Sequence, residues 1–264
     1  WGTPALFDDG GTNARTAKHI KAVYDPDENI IIVAVVWGNN SDNVKVRACK
    51  YSGSGTTLTI GDYWTPNGGS YVNSVDSTFL GFNPDTNNVI FGWGRSGRVR
   101  CQSIKSTASS LGSFTAGSTL DLGDSITPYK CVYDTSDDKY LLMVNPNGGS
   151  YNKTQLIPIS EHATNKTLTK GTINQEIFSG DGWPMSAAFD PVNNRTFVAY
   201  TDRTGSSSNR KIYGRYIQSS SGTQTMGTAI ELASGVDQGD SGYHPSWLKK
   251  THLYYLPQTV NSHI

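Results

Sequence analysis

Lys21-Ala22-Val23-Tyr24-Asp25-Pro26-Asp27-Glu28-Asn29 runs directly into Ile30-Ile31-Ile32-Val33-Ala34-Val35-Val36-Trp37. The first part reads as a strand closed by Tyr24 and a tight turn. Asp25, Pro26 and Asn29 are turn formers, each for its own backbone reason. The second part is a β-branched run, too short and too branched to prefer helix.

Working outward, the same pattern recurs. Leu80-Gly81-Phe82-Asn83-Pro84 precedes Val89 to Trp93, and Cys131-Val132-Tyr133-Asp134-Thr135 precedes Tyr140 to Val144. Ala187-Ala188-Phe189-Asp190-Pro191 precedes Thr196 to Tyr200. A worn fifth copy is Ser246-Trp247-Leu248-Lys249-Lys250 with Leu253 to Leu256. The anchors step by 58 (24 to 82), 51 (82 to 133), 56 (133 to 189) and 59 (189 to 248). Short strands repeating at this period are a propeller-blade signature.

The expected fold is therefore all-β, one five-bladed β-propeller over residues 1–264 with four-stranded antiparallel blades. The blades cover 19–71, 72–125, 126–182, 183–242, and 243–264 together with 1–18. The last assignment rests on the termini. Gly2-Thr3-Pro4-Ala5-Leu6-Phe7 matches the fourth strand of the fourth copy, Gly227-Thr228-Ala229-Ile230, while the fifth copy stops after a candidate third strand at 260–264. The N-terminal strand is expected to complete the C-terminal blade and close the ring, which removes two exposed sheet edges. The third strands read as polar-alternating, and the following connections as Ser/Gly/Thr-rich hairpin loops.

Composition narrows the function. Lys+Arg and Asp+Glu each number 22, so the net charge is zero. Nucleic acid as the main partner requires a basic surface that this balance does not supply. No apolar run is long enough to cross a membrane as a helix, and no secretory signal is read. The start at Trp1 without Met fits a mature product or a fragment. Three cysteines, Cys49, Cys101 and Cys131, fall in strand positions that suit small buried hydrophobes, so buried thiols are expected and no disulfide framework is implied.

Strand direction places the second-to-third loops and the fourth-to-first crossings on one face. Those segments are longer and more varied than the turns opposite, and such loops usually carry function. Trp37, Trp93 and Tyr200 end second strands toward this face, and Trp64, Trp183 and Tyr243 lie in or beside the crossings. With Asp181 they are the candidate ligand-binding residues: aromatic rings for stacking on sugars, short polar groups for reading hydroxyls. The plainer reading of the second-strand Trp residues is packing between blades.

Catalytic and metal roles are assigned to no residue, and no cofactor is expected. A glycosidase needs two facing carboxylates. Of four glutamates, Glu28 and Glu161 fall in turns on the opposite face, while Glu176 and Glu231 fall in outer strands. Asp76 alone reaches toward the mouth of the axis. The Asp/Gly-rich runs at 8–11, 181–182 and 237–242 lack Ca²⁺-loop spacing and read as turns.

The Tyr24-Asp25-Pro26-Asp27-Glu28-Asn29 turn with its β-branched strand, and the Gly2-Thr3-Pro4-Ala5-Leu6-Phe7 segment, resemble tandem propeller-type repeats of structural and tail-fibre proteins of marine bacteriophages. The resemblance implies a non-enzymatic structural or adhesive module on a virion or in an extracellular setting. Its partners would be other virion proteins or a host-surface glycan or protein, with neither nucleic acid nor membrane insertion; self-association stays open. A secreted lectin is the alternative, and a glycan-active enzyme comes third.

Overall fold

The structure is a computed structural model. It describes residues 16–38, 43–51, 57–66, 78–95, 98–124, 126–146, 153–172, 175–178, 180, 182–202, 204, 210–234, 246–248 and 253–255. Among these every regular element is a strand. The architecture is β-propeller-like: antiparallel sheets repeated along the chain, each built from a run of consecutive strands.

The first sheet orders β1 (Thr16–Asp25), β2 (Ile30–Gly38), β3 (Asn43–Tyr51) and β4 (Leu58–Ile60). The second orders β5 (Phe79–Asn83), β6 (Asn88–Arg95), β7 (Arg98–Thr107) and β8 (Ser110–Ala116), with β9 (Leu120–Asp124) also on β7. The third orders β10 (Ile126–Asp134), β11 (Lys139–Pro146), β12 (Thr154–Glu161) and β13 (Leu168–Lys170), with β14 (Gln175–Phe178) also on β12. The fourth orders β15 (Gly182–Asp190), β16 (Arg195–Asp202), β17 (Lys211–Ser220) and β18 (Thr223–Met226), with β19 (Ile230–Ser234) also on β17. The fifth copy forms a hairpin of β20 (Ser246–Leu248) and β21 (Leu253–Tyr255). The expected pairing of 2–7 with 260–264 lies outside the described residues.

The opening stretch folds as read, for a local reason. Asp25 Oδ1 accepts the backbone N–H of Asp27 at 3.1 Å and of Glu28 at 3.2 Å. Asn83 Oδ1 accepts from Asp85 N, Asp134 Oδ1 from Ser136 N, and Asp190 Oδ1 from Val192 N and Asn193 N. The four are buried, none more than 2% exposed. Four residues on, Asn29, Asn87, Asp138 and Asn194 take φ of 53°, 54°, 50° and 49°. Asn and Asp tolerate this left-handed region better than other side chains. The aromatic before the turn is less uniform than expected: Tyr133 is buried, but Tyr24 is 53% exposed and bonds Asn29 Oδ1 through its hydroxyl.

Two features differ from the expectation. The fourth position is shared by two short segments in succession. A glycine marks the break: the N–H groups of Gly61, Gly117, Gly171 and Gly227 donate to the carbonyls of Ala48, Ser103, Pro158 and Tyr216 at 2.8–2.9 Å. After Gly61 the second segment reduces to a bridge between Trp64 and Val46. Of the third strands, β3 and β17 alternate as read, but β7 and β12 are drier than their polar residues suggest. Gln102 and Ser103 in β7 are 1% and 0% exposed, because neighbouring elements cover both faces.

The chain divides into two compact units, 1–124 with 161–169, and 125–160 with 170–264. In the first unit, Ile30, Ile32, Val44, Val46, Val89, Phe91, Trp93 and Ile104 form a core between the first and second sheets. In the second, Leu141, Met143, Leu156, Ile177, Val198, Tyr200 and Ile217 form the equivalent. Cys49, Cys101 and Cys131 are buried thiols outside any disulfide. Burial pushes the Cys131 and Cys49 thiols up, against the opposing pull of Lys130 on the first and of Arg47 on the second.

Candidate functional site

The aromatic candidates separate on burial. Trp93 is 0% exposed and stacks on Phe91 with ring centroids 5.5 Å apart. Tyr200 is 1% exposed, 5.2 Å from Phe178 and 5.9 Å from Tyr213. Desolvation raises its hydroxyl pKa. Neither ring offers a face to a sugar, which corrects their candidacy: a second strand covered on both faces keeps even its last aromatic inside. Trp64 is half-buried, set edge-on to Phe91 at 6.3 Å and against Phe114 at 5.9 Å. Its backbone exchanges both bonds with Val46, so this residue too is held as packing. Trp37 pairs with Ala17 and Asn43 by backbone register, and Trp183 with Thr201. Their side chains, and Tyr243, Asp181 and Asp76 entirely, lie outside what is described.

The described turns and hairpins of the opposite face, set aside by the sequence reading, carry ordered polar contacts. Three carboxylates join the first-to-second turn of one sheet to a third-to-fourth hairpin. Glu28 Oε2 accepts the N–H of Ala108 at 2.9 Å. Asp137 accepts the N–H of Gly222 at 2.9 and 3.1 Å, and Lys139 Nζ at 2.7 Å. At the third of these contacts, between Glu161 and the β5–β6 turn, the polarity is reversed, since the hairpin supplies the acceptors and the turn supplies donors. Glu161 Oε2 accepts from Asn83 Nδ2 at 2.9 Å and Thr86 Oγ1 at 3.1 Å. Its Oε1 accepts from Asn88 Nδ2 at 3.0 Å and from the Ser103 hydroxyl.

The remaining glutamates also hold strands together. Glu176 pairs with Lys153, and Glu231 with Lys211 at 2.7 Å, each between a third strand and the second segment of its fourth edge. Arg98 takes the same place in the second sheet, 2.6 Å from Asp124 and 3.1 Å from Asp121. These exposed pairs favour the charged forms of Lys211 and Arg98. As exposed pairs they contribute little to stability. Among the described residues no group of three potential metal ligands occurs.

A polar cleft of about 300 Å³ opens in the second unit. Its lining is Lys139, Pro158, Ser160, Gly171, Thr172 and the Gly222–Thr223–Gln224 segment. Sequence reasoning missed it. The one available signal was Gln224, a polar residue in β18 where the β8 hairpin carries apolar Leu111 and Phe114.

No protein-family model matches the sequence, and no curated protein does. Solved structures do resemble it. A protein from Lactobacillus plantarum, determined as a structural-genomics target, is 11% identical, with 92% of this chain and 82% of that chain covered and a TM-score of 0.53. A mannose phosphorylase from Leishmania mexicana, in complex with phosphate ion, is 12% identical, with 84% and 70% covered and a TM-score of 0.42. An auxiliary nutrient binding protein from Bacteroides thetaiotaomicron is 10% identical, with 89% and 65% covered and a TM-score of 0.39. At such identities the first likeness speaks for the fold alone, a β-propeller-like all-β repeat.

Proposed function

We propose that this chain is a non-enzymatic structural and adhesive module carried on a virus particle, of the phage fibre or decoration kind, that binds a glycan or protein on a surface. In this reading it is a five-bladed propeller. The fifth blade consists of β20, β21, a third strand at 260–264 and an outer strand at 2–7 that closes the ring.

One observation carries the non-enzymatic part of the reading. All four glutamates of the chain are engaged in structure, Glu28 and Glu161 in turn-to-hairpin contacts and Glu176 and Glu231 in edge ion pairs. A hydrolytic pair instead needs two Asp or Glu carboxylates that face a substrate, so the glutamates do not supply one and the aspartates are left to the substrate panel below. The zero net charge supports a neutral polar partner over nucleic acid.

The test uses particles from the producing culture and the labelled full chain. The chain is expected to copurify with particles in stoichiometric amount, and the labelled chain to adhere to host cells. Periodate sensitivity of that adhesion marks a glycan partner, and protease sensitivity a protein. Recovery only as a free secreted protein overturns the virion assignment in favour of a lectin. Turnover in a panel of glycoside substrates overturns the non-enzymatic assignment.

A further inference from the structure

We infer that the cleft around Lys139, Gly171 and Gln224 is a binding site for a single neutral sugar residue. The inference comes from comparing the same step in different sheets. At the fourth-edge break of the first sheet, a Cβ on Gly61 would overlap the Leu111 backbone, so the neighbouring hairpin lies against the glycine. At the second, a Cβ on Gly117 would overlap the Lys166 backbone. At the third, the three nearest atoms to a Cβ on Gly171 all belong to Pro158 of its own sheet, Cγ at 2.8 Å, O at 3.1 Å and Cβ at 3.6 Å. The facing hairpin stands off, and the cleft fills the interval.

Side-chain chemistry changes along with the geometry. In the closed step the hairpin brings apolar Leu111 and Phe114 against the neighbouring core, across a register shift between Lys105 and Thr107; in the open step β18 pairs without a shift and sets Gln224 opposite Ser219. The opened step thus carries a buried amide where the closed one presents apolar side chains. Gln224 is only 5% exposed, and its described bond, from Nε2 to the Gly222 carbonyl, is 3.4 Å, at the long limit of a hydrogen bond. A buried amide so weakly bonded has donor and acceptor capacity left for a ligand.

The charge balance selects a neutral ligand. The Lys139 ammonium is tied to Asp137 at 2.7 Å, and Asp137 also accepts the Gly222 N–H. The pair is locally neutral, so an anion gains little there. Two ammonium hydrogens remain, with hydroxyls from Ser160, Thr172 and Thr223 and the Gln224 amide. Pro158 and the threonine methyls supply the apolar surface that the C–H face of a pyranose needs. A volume of about 300 Å³ is at the small end of ligand pockets, which fits one ring.

This assignment rests on the adhesive reading and narrows its ligand. The experiment is an NMR shift titration of the full chain with methyl glycosides of glucose, mannose, galactose and N-acetylglucosamine, with acetate and sulfate as anion controls. One glycoside is expected to give saturable millimolar shifts at Lys139, Ser160, Thr172, Thr223 and Gln224. Gln224→Leu, which replaces the amide with an apolar group of similar size, should weaken binding at least about tenfold. Thr172→Trp, at an exposed position, should block the cleft with the melting transition unchanged. Flat titrations with every glycoside overturn the inference. So do equal shifts with acetate or sulfate, or binding that survives both substitutions. If the chain still adheres to periodate-sensitive surfaces while the titrations are flat, the cleft assignment alone falls and the adhesive reading stands.

Discussion

Asn83 stands where Asp25, Asp134 and Asp190 stand in the other sheets, and the difference has a physical cause. Its Oδ1 makes the turn bond common to all four, but its Nδ2 donates to Glu161. An aspartate there would set a second carboxylate against the first and remove a donor. Asn83→Asp is therefore expected to destabilise the protein by about 2–3 kcal/mol in urea unfolding, and Glu161→Gln on that background to restore most of the loss. If the double variant is no more stable than Asn83→Asp, the two residues are not coupled. Asp190 gives a pH prediction. Burial alone would raise its carboxyl pKa, but bonds from the Asn193 side chain and the Asn193 and Val192 backbones, with Arg195 nearby, lower it below the usual value. A carboxyl depressed in the folded state stabilises fully above its unfolded pKa of about 3.9 and loses that contribution as pH falls through the folded value. Asp190→Asn should thus flatten the fall in urea midpoint below about pH 4 relative to the parent. An unchanged acid limb would contradict the assignment. For Cys49 and Cys131, raised pKa and burial predict that a thiol reagent at neutral pH reacts only as fast as the protein opens. Rapid labelling of the native protein would refute it.

At the scale of elements, the strand–turn–strand unit was legible because its determinants are local. An acceptor at the first turn position, a residue tolerant of positive φ at the fifth, and β-branched residues beyond are all visible in a window of ten or so residues. The glycine breaks were half legible. Gly117-Ser118-Thr119, Gly171-Thr172 and Gly227-Thr228 repeat in the sequence, but only the structure shows that each interrupts the fourth edge. What stayed hidden depends on partners far away in sequence. Asn83 and Glu161 are 78 positions apart. Trp93 and Tyr200 looked like strand-end aromatics, and only the sheet packed on the second face makes them interior. The glycine breaks yield a graded prediction. Gly117→Ala should cost about 1–3 kcal/mol in denaturant unfolding, because the added carbon overlaps the Lys166 backbone, which has no side-chain end to swing aside. Gly227→Ala, whose Cβ would sit 3.3 Å from the Tyr216 carbonyl, should cost clearly less. Equal effects would mean that backbone entropy, and not the close approach, explains the glycines.

For the whole molecule, the proposed ring closure makes a thermodynamic claim that the separate units do not. Each unit has its own buried cluster. An open chain would melt in a way insensitive to its ends. Closure changes that. If 2–7 pairs beside 260–264, the N-terminal segment completes the last blade, and the ends of the chain cannot separate without exposing a third-strand edge. Each ladder bond contributes about 0.5–1.5 kcal/mol net, and Leu6 or Phe7 adds apolar burial according to register. The intact chain is then expected to show one calorimetric transition whose van't Hoff and calorimetric enthalpies agree. Deleting residues 1–9 should lower the midpoint and split or broaden the transition, well beyond the effect of trimming a terminus that pairs with nothing. A second variant, with Leu6→Asp and Phe7→Asp, keeps the chain length and should act in the same direction through lost burial alone. If both variants melt as the parent does, the fifth blade takes its outer strand from elsewhere, and the five-bladed ring is not closed by its own N-terminus.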